Sequence, residues 1–160
     1  MGVSRTELLR ACAAAQSFFR AMLKREDHGR PARDALRARG VSEEMIERFG
    51  LGASPHRPDG LASVASAKQL SLTAFAEAGL LYTDRGPASD VFRGRIMVPI
   101  RDQLGRPIAF GARVIGDGDG PKYLNSRETP IFHKSDALYG LAEASESIRS
   151  SRVAIVAEGY

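Results

Sequence analysis

The beginning of the chain has apolar residues at helical spacing. Ser4 and Glu7 are three residues apart, the spacing of a capping box at a helix start. Apolar residues then recur every three or four positions up to about Lys24, at Leu8, Ala11, Cys12, Ala15, Phe19 and Met22. The pattern predicts a long amphipathic helix.

Shorter helices are predicted after it, at 31–39, 43–49, 61–70 and 72–78. Pro31 suits a first helical turn, and Gly40 suits the position just past a helix end. Ser42 and Gly50 bracket the next helix in the same way. We place the change from helices to sheet in the turn-rich stretch 82–90.

Two alternating runs then predict a pair of antiparallel strands joined by a turn at 102–105. The apolar positions are Ile96, Val98 and Ile100, and then Ile108, Phe110, Ala112 and Val114. Pro99 lacks an N–H, so the first strand is expected to be an edge or to be bulged there. Arg95, Arg101 and Arg113 are expected on or near a common side of the pair.

The last part of the chain predicts one helix and one strand. Ser135 and Asp136 suit a helix start, with the helix running to about Ile148, and 152–157 is an apolar run typical of a buried parallel strand. Glu158 follows, at the strand end where ligands and metals often bind, although a solvated carboxylate is an equal alternative. One strand does not make a sheet, so we expect a truncated sequence.

These elements predict an α+β fold: helices with a small antiparallel sheet, leading into the first strand of an α/β unit. The predicted subdomains are 1–134 and 135–160.

Charge is concentrated in residues 91–134. This segment has eight Lys/Arg and four Asp/Glu, and its surplus of +4 equals the net charge of the 160-residue chain. Four aromatic residues lie among the cations, a composition typical of nucleic-acid surfaces, although a solvated hairpin explains the charge about equally well.

The sequence gives little support for a histidine- or cysteine-based metal site or for a membrane-spanning segment. Cys12 is the only cysteine, which excludes an internal disulfide, and the three histidines lack metal-ligand spacing. The Gly/Asp stretch 116–120 is best interpreted as a connector, with a phosphate cradle and a calcium loop as weaker alternatives. No apolar run reaches membrane-spanning length, so we expect no membrane partner and a cytoplasmic protein.

Several motifs in order carry a family resemblance. FRGR, FGAR, PKYLNS and FHK, followed by EGY, strongly resemble bacterial replicative DNA primases of the DnaG type, and the likeness covers most of residues 36–160. It implies the amino-terminal part of the RNA polymerase domain, up to the first glutamate of a TOPRIM fold.

The resemblance also implies roles for individual residues. The surface for template and nucleotide would be lined by Arg39, Arg93, Arg95, Arg113, Lys122, Tyr123 and Lys134. Glu158 would be the first TOPRIM acid, catalytic and next to a Mg²⁺ or Mn²⁺ site. The implied partners are a single-stranded DNA template, ribonucleoside triphosphates and, through a carboxyl-terminal domain, a replicative helicase; we expect a monomer.

Some features depart from the family pattern. Val91 stands where an arginine is usual, and GAR replaces the commoner GGR. The zinc-binding domain, the later TOPRIM carboxylates and the helicase-binding terminus do not occur in this sequence, so we expect no primer synthesis by the chain alone. A stand-alone single-strand-binding module and a plasmid or phage primase remain open alternatives.

Overall fold

Helices make up most of the first half of the chain, and most of the strands lie in the second half. A computed structural model describes residues 2–84, 86–118 and 120–158. The helices are α1 (Arg5–Lys24), α2 (Glu26–Ala38), α3 (Glu43–Phe49), α4 (Gly60–Ala67), α5 (Leu72–Glu77) and α6 (Leu141–Ser151), with a 3₁₀ turn at Lys134–Asp136. The strands are β1 (Gly52–Ser54), β2 (Leu81–Tyr82), β3 (Ser89–Asp90), β4 (Arg95–Arg101), β5 (Pro107–Val114) and β6 (Tyr123–Asn125).

The capping box predicted for α1 is confirmed. The Ser4 hydroxyl accepts the Glu7 backbone N–H at 3.2 Å, and the Glu7 carboxylate accepts the Ser4 backbone N–H at 2.8 Å. The apolar stripe of α1 packs on the sheet, where the rings of Phe19 and Phe110 meet edge to face at 5.3 Å. The first helix is therefore fixed both by its start signal and by the core.

α2 begins earlier than predicted. It starts at Glu26, and Pro31 lies inside the helix. The carboxylates of Glu26 and Asp27 favour this earlier start, because negative charge in the first turn interacts favourably with the helix dipole. The Arg33 guanidinium reaches back to the carbonyls of Leu23 and Arg25 at 2.6 and 3.0 Å, which satisfies acceptors at the end of α1. Contacts with α1 thus define the start of α2.

The main sheet is antiparallel with the strand order β1-β4-β5-β6, and β2 pairs with β3 in a separate ribbon. β1 covers β4 only from Arg95 to Met97, so Pro99 has no partner on that side. The ladder between β4 and β5 shifts register between Ile100 and Arg101. The predicted edge at Pro99 is therefore confirmed.

Both faces of this sheet are buried. Met97 and Ala112 belong to a core cluster with residues of α1, α4 and α5, whereas Ile96 and Val98 belong to a second cluster with residues of α2 and α3. Arg95 alternates in phase with Met97, and Arg113 pairs with Ile96. The expectation that Arg95 and Arg113 share a side was therefore wrong, since they lie on opposite faces.

The last part of the chain also differs from prediction. The helix starts at Leu141 rather than after Ser135, behind Gly140 with its φ of 79°. Residues 152–158 form no strand, and the Ile155 side chain is 92% exposed. A buried parallel strand needs neighbours on both sides, and no described residue pairs with this segment.

Among the described residues, no helix combines the length and apolar character that a membrane crossing needs.

Candidate nucleic-acid interface

Strand β6 is the outer strand of the main sheet, and the predicted site residues lie around it. Tyr123 pairs with Arg113, and Leu124 pairs with Ala112. Since neighbouring side chains of a strand point to opposite faces, Tyr123 and Arg113 share one face while Leu124 faces the other. The sheet therefore divides the predicted residues into two groups.

The first group surrounds a cavity of about 300 Å³ that we call the aromatic groove. It is lined by Leu36, Arg39, Val41, Met45, Phe49, Leu51, Ile96, Val98, Arg113, Tyr123 and Tyr139. Arg113 donates a hydrogen bond to the Tyr123 hydroxyl, and its guanidinium carbon lies 5.2 Å from the ring centroid. The Lys122 ammonium lies 5.9 Å from the same ring. The groove thus joins an apolar floor to a cationic, aromatic rim.

The second group lines a cavity of about 630 Å³ on the other face, which we call the arginine cavity. Arg93 is exposed there, whereas Arg95 is 5% exposed and donates to the Pro121 carbonyl at 2.8 Å. Burial lowers the pKa of Arg95, but a guanidinium keeps its charge at any ordinary pH. Arg95 is therefore a fixed positive charge and Arg93 an accessible one.

His56 also lines the arginine cavity, and the sequence patterns did not indicate it. Gly94 has a φ of 61°, and a Cβ there would lie 2.5 Å from the His56 ring. The Gly94 N–H donates to the Pro55 carbonyl at 3.0 Å, which holds the two segments together. The signal in the sequence was the glycine between two arginines, since only glycine allows this close approach.

Lys134 lines a third cavity of about 580 Å³, which we call the Lys134 cavity. Tyr82 and Arg127 line it as well. Val91 and Leu124 border both this cavity and the arginine cavity. The two cavities therefore adjoin along β6, with Arg93 in one and Lys134 in the other, and we call the pair the trough.

A buried carboxylate holds one wall of the arginine cavity. Asp90 is 1% exposed, and its two oxygens accept the backbone N–H groups of Leu61 and Ala62 at 2.8 and 3.0 Å. Desolvation raises the pKa of Asp90, opposed by these two hydrogen bonds. Asp90 thereby caps α4 from β3, three residues before Arg93.

Arg101 lies outside these surfaces. It donates to the Glu143 carboxylate at 2.7 Å and to the Arg48 carbonyl at 3.1 Å. Both side chains of the Arg101 and Glu143 pair are largely buried, at 17% and 7% exposure. Arg101 therefore ties α6 to α3.

Glu158 is exposed and lies apart from any regular element. Across residues 2–84, 86–118 and 120–158, no three histidine, cysteine or acidic side chains are grouped in a way that would hold a metal ion. The described residues therefore do not form a metal site by themselves.

Cations on both faces of a small antiparallel sheet, flanked by helices, define an α+β domain with grooves suited to a polyanionic strand. The chain matches the family described as the DNA primase catalytic core, N-terminal domain, over residues 18–145, and it belongs to this family.

Similar proteins agree with this assignment. DNA primase of Pseudomonas aeruginosa is 46% identical over 150 residues, which are 92% of this chain and 22% of that protein. The RNA polymerase domain of Mycobacterium tuberculosis primase DnaG, solved with a double-stranded DNA oligomer bearing a 6-nucleotide overhang, superposes with a TM-score of 0.93 at 34% identity. That match covers 99% of this chain and 50% of the other.

A DnaG primase catalytic domain bound to single-stranded DNA superposes with a TM-score of 0.82 at 40% identity, covering 89% of this chain and 44% of that one. The chain thus spans about a quarter of the length of the curated relatives it matches. The predicted family and the α+β fold class are confirmed.

Proposed function

We propose that this chain is the part of a bacterial primase that holds single-stranded DNA and nucleotide phosphates during the synthesis of RNA primers for replication. The observation that carries the proposal is the arrangement of exposed cations along grooves on both sides of β6. The resemblance to a primase domain bound to single-stranded DNA supports the same assignment.

The trough along β6 supplies the phosphate contacts in this proposal. Arg93 and Lys134 lie at its two ends, and Arg95 adds a fixed charge between the strands. Lysine and arginine neutralise phosphates without reading sequence, which a template site must do to accept many sequences. The trough therefore suits a moving single strand.

The aromatic groove supplies the contact to a base. Tyr123 is 47% exposed, and Arg113 and Lys122 keep positive charge beside its ring. A base that stacks on Tyr123 brings its phosphate within reach of Lys122 and Arg39 at the rim. The two faces of the sheet thus offer separate places for a template strand and an incoming nucleotide.

Primer extension is a transfer of a nucleotidyl group, and metal ions in such enzymes stabilise the attacking and leaving oxygens. We propose that Glu158 contributes one carboxylate to a Mg²⁺ or Mn²⁺ site in the whole primase. The described residues do not complete that site. Primer synthesis by this chain alone in the presence of Mg²⁺ would refute this part of the proposal.

The remaining partners belong to the whole protein. We propose ribonucleoside triphosphates as substrates, a replicative helicase as the recruiting partner, zinc in a further domain, and a monomer that acts in the cytoplasm.

Fluorescence anisotropy with a labelled single-stranded oligonucleotide at two salt concentrations tests the function. We expect the parent chain to bind more weakly as the salt concentration rises. The variant Lys122→Ala/Lys134→Ala should bind more weakly than the parent chain, and its affinity should depend less steeply on salt, because a protein with fewer phosphate contacts releases fewer counterions from DNA when it binds. The matched control is Lys24→Ala/Lys68→Ala, which removes two exposed lysines elsewhere. Equal losses in both double variants, or no binding by the parent chain, would contradict the proposal.

A further inference from the structure

Tyr82 forms part of the wall of the Lys134 cavity and has no role in the contacts described so far. Tyr82 is the second residue of the two-residue strand β2. It is 53% exposed, whereas its neighbour Leu81 is buried. Across β2 and β3 it pairs with Ser89, a side chain too small to cover a phenol ring. Within the described residues, the Tyr82 ring makes no contact with another ring or with a cation.

Arg127 lies in the same cavity and is fixed in place. Its guanidinium donates to the Ala76 carbonyl at 2.7 Å, at the end of α5. The stem passes over Gly79, whose absent Cβ would lie 3.4 Å from the Arg127 Cγ. No described carboxylate pairs with Arg127, so one hydrogen bond to a carbonyl orients the guanidinium and leaves its charge uncompensated.

Resting on the proposed function, we propose that Tyr82 and Arg127 form an additional nucleotide subsite for single-stranded DNA at the Lys134 end of the trough. In this subsite a base stacks on the Tyr82 ring, and the adjoining phosphate binds Arg127 and Lys134. The subsite lengthens the path of the strand beyond the arginine cavity.

The distribution of charge in the cavity sets the orientation of the nucleotide. Tyr82 belongs to β2, whereas Arg127 and Lys134 follow β6, and all three line the cavity. A phosphate is attracted to the two cations, while the neutral face of a base suits the Tyr82 ring. Single-strand sites commonly combine an aromatic platform with adjacent cations in this way.

The test measures binding of labelled oligothymidylates of about 6, 9 and 12 nucleotides by fluorescence anisotropy, a range that spans typical single-strand site sizes. The parent chain is compared with Tyr82→Ala, Tyr82→Phe and Arg127→Ala. Circular dichroism and the thermal midpoint confirm that each variant is folded. A second series places one abasic nucleotide at each successive position of the longest oligonucleotide.

We expect Tyr82→Ala to weaken binding of the longest oligonucleotide about tenfold, the size of one lost stacking contact, with an unchanged salt dependence. Tyr82→Phe keeps the ring and binds like the parent chain. Arg127→Ala lowers the slope of log K against log salt by about 0.7, as one phosphate contact to a single strand predicts. At the one position whose base stacks on Tyr82, the abasic nucleotide and Tyr82→Ala should each weaken binding, but the two changes together should weaken it no more than either alone.

The subsite is refuted if Tyr82→Ala binds every oligonucleotide like the parent chain, or if its effect adds to that of an abasic nucleotide at every position. If Lys122→Ala/Lys134→Ala still weakens binding in that case, only the subsite fails. Absence of binding by the parent chain refutes the proposed function itself.

Discussion

Removal of the Asp90 side chain is expected to destabilise the fold and to open the arginine cavity. Its carboxylate accepts the second and third N–H groups of α4, those of Leu61 and Ala62, at 2.8 and 3.0 Å. Leu61 is 2% exposed and Ala62 is 4% exposed, so water does not readily replace the carboxylate. In Asp90→Ala, both donors would lose their partner.

The expected cost follows from these two donors. A buried N–H without a partner costs about 1–3 kcal/mol, so the two donors freed in Asp90→Ala should lower the free energy of unfolding by about 2–6 kcal/mol. Asp90→Asn keeps one acceptor oxygen and should lose about 1–2 kcal/mol. Asp59→Ala is the matched control, since Asp59 precedes α4 but its side chain makes no capping hydrogen bond and is about half exposed, so its loss should be much smaller.

Urea denaturation followed by circular dichroism measures these differences. A loss below about 0.5 kcal/mol in Asp90→Ala, the size of an ordinary surface substitution, would refute the capping role. Binding of single-stranded DNA by Asp90→Ala under folding conditions should also weaken, because the wall that carries Arg93 loses its anchor.

The pH dependence gives a second measurement on Asp90. Burial raises its folded-state pKa above the unfolded value near 3.9, so the folded protein binds the proton more tightly. Relative to Asp90→Asn, the free energy of unfolding of the parent chain should therefore rise as pH falls from the folded pKa toward about 4 and level off below. A difference that falls over this interval would contradict the desolvation argument.

Three further changes test other parts of the fold. Glu143→Gln should cost about 3 kcal/mol and speed amide exchange throughout α6, because it leaves the Arg101 charge largely buried without its partner; unchanged exchange would contradict this. Gly50→Ala should cost about 1–2 kcal/mol in urea denaturation, because Gly50 has a φ of 63° and little space for a Cβ; a neutral effect would contradict the conformation. Burial raises the pKa of Cys12 to about 12, so iodoacetamide should modify the native thiol far more slowly than the unfolded one, as mass spectrometry would show; equal rates would contradict its burial.

Local signals in the sequence predicted the elements that depend on neighbouring residues. The capping box at Ser4 defined the start of α1, and Ser42 with Gly50 defined α3 at both ends. Alternation of apolar residues predicted the pairing of β4 with β5. In each case the physical cause lies within a few residues of the element.

Features that depend on distant residues were not predictable in the same way. Placement of Arg95 and Arg113 on opposite faces depends on the register, which pairs Arg95 with Val114. Asp90 caps a helix 29 positions earlier in the chain, and no local pattern indicates such a contact. Residues 152–157 are exposed and pair with no described strand, which their apolar composition does not reveal.

Composition predicted a basic segment, but not how its cations are arranged. The basic surplus of 91–134 indicated a segment that lines the cavities around β6, but it did not distinguish Arg101, which anchors α6, from Arg93, which faces a cavity. His56 and Tyr82 line two of these cavities and were not predicted, because they come from a loop and a short strand that fold against this segment.

Titration of the ¹⁵N-labelled chain with single-stranded DNA, followed by two-dimensional NMR, shows directly whether the surfaces around β6 bind the strand. We expect chemical-shift changes concentrated in residues 93–95, 111–113 and 122–125, on both sides of β6, that are reversed by added salt. Changes centred instead on the exposed side of α1 near Arg10, or none at saturating DNA, would contradict the claim that the surfaces around β6 hold the strand.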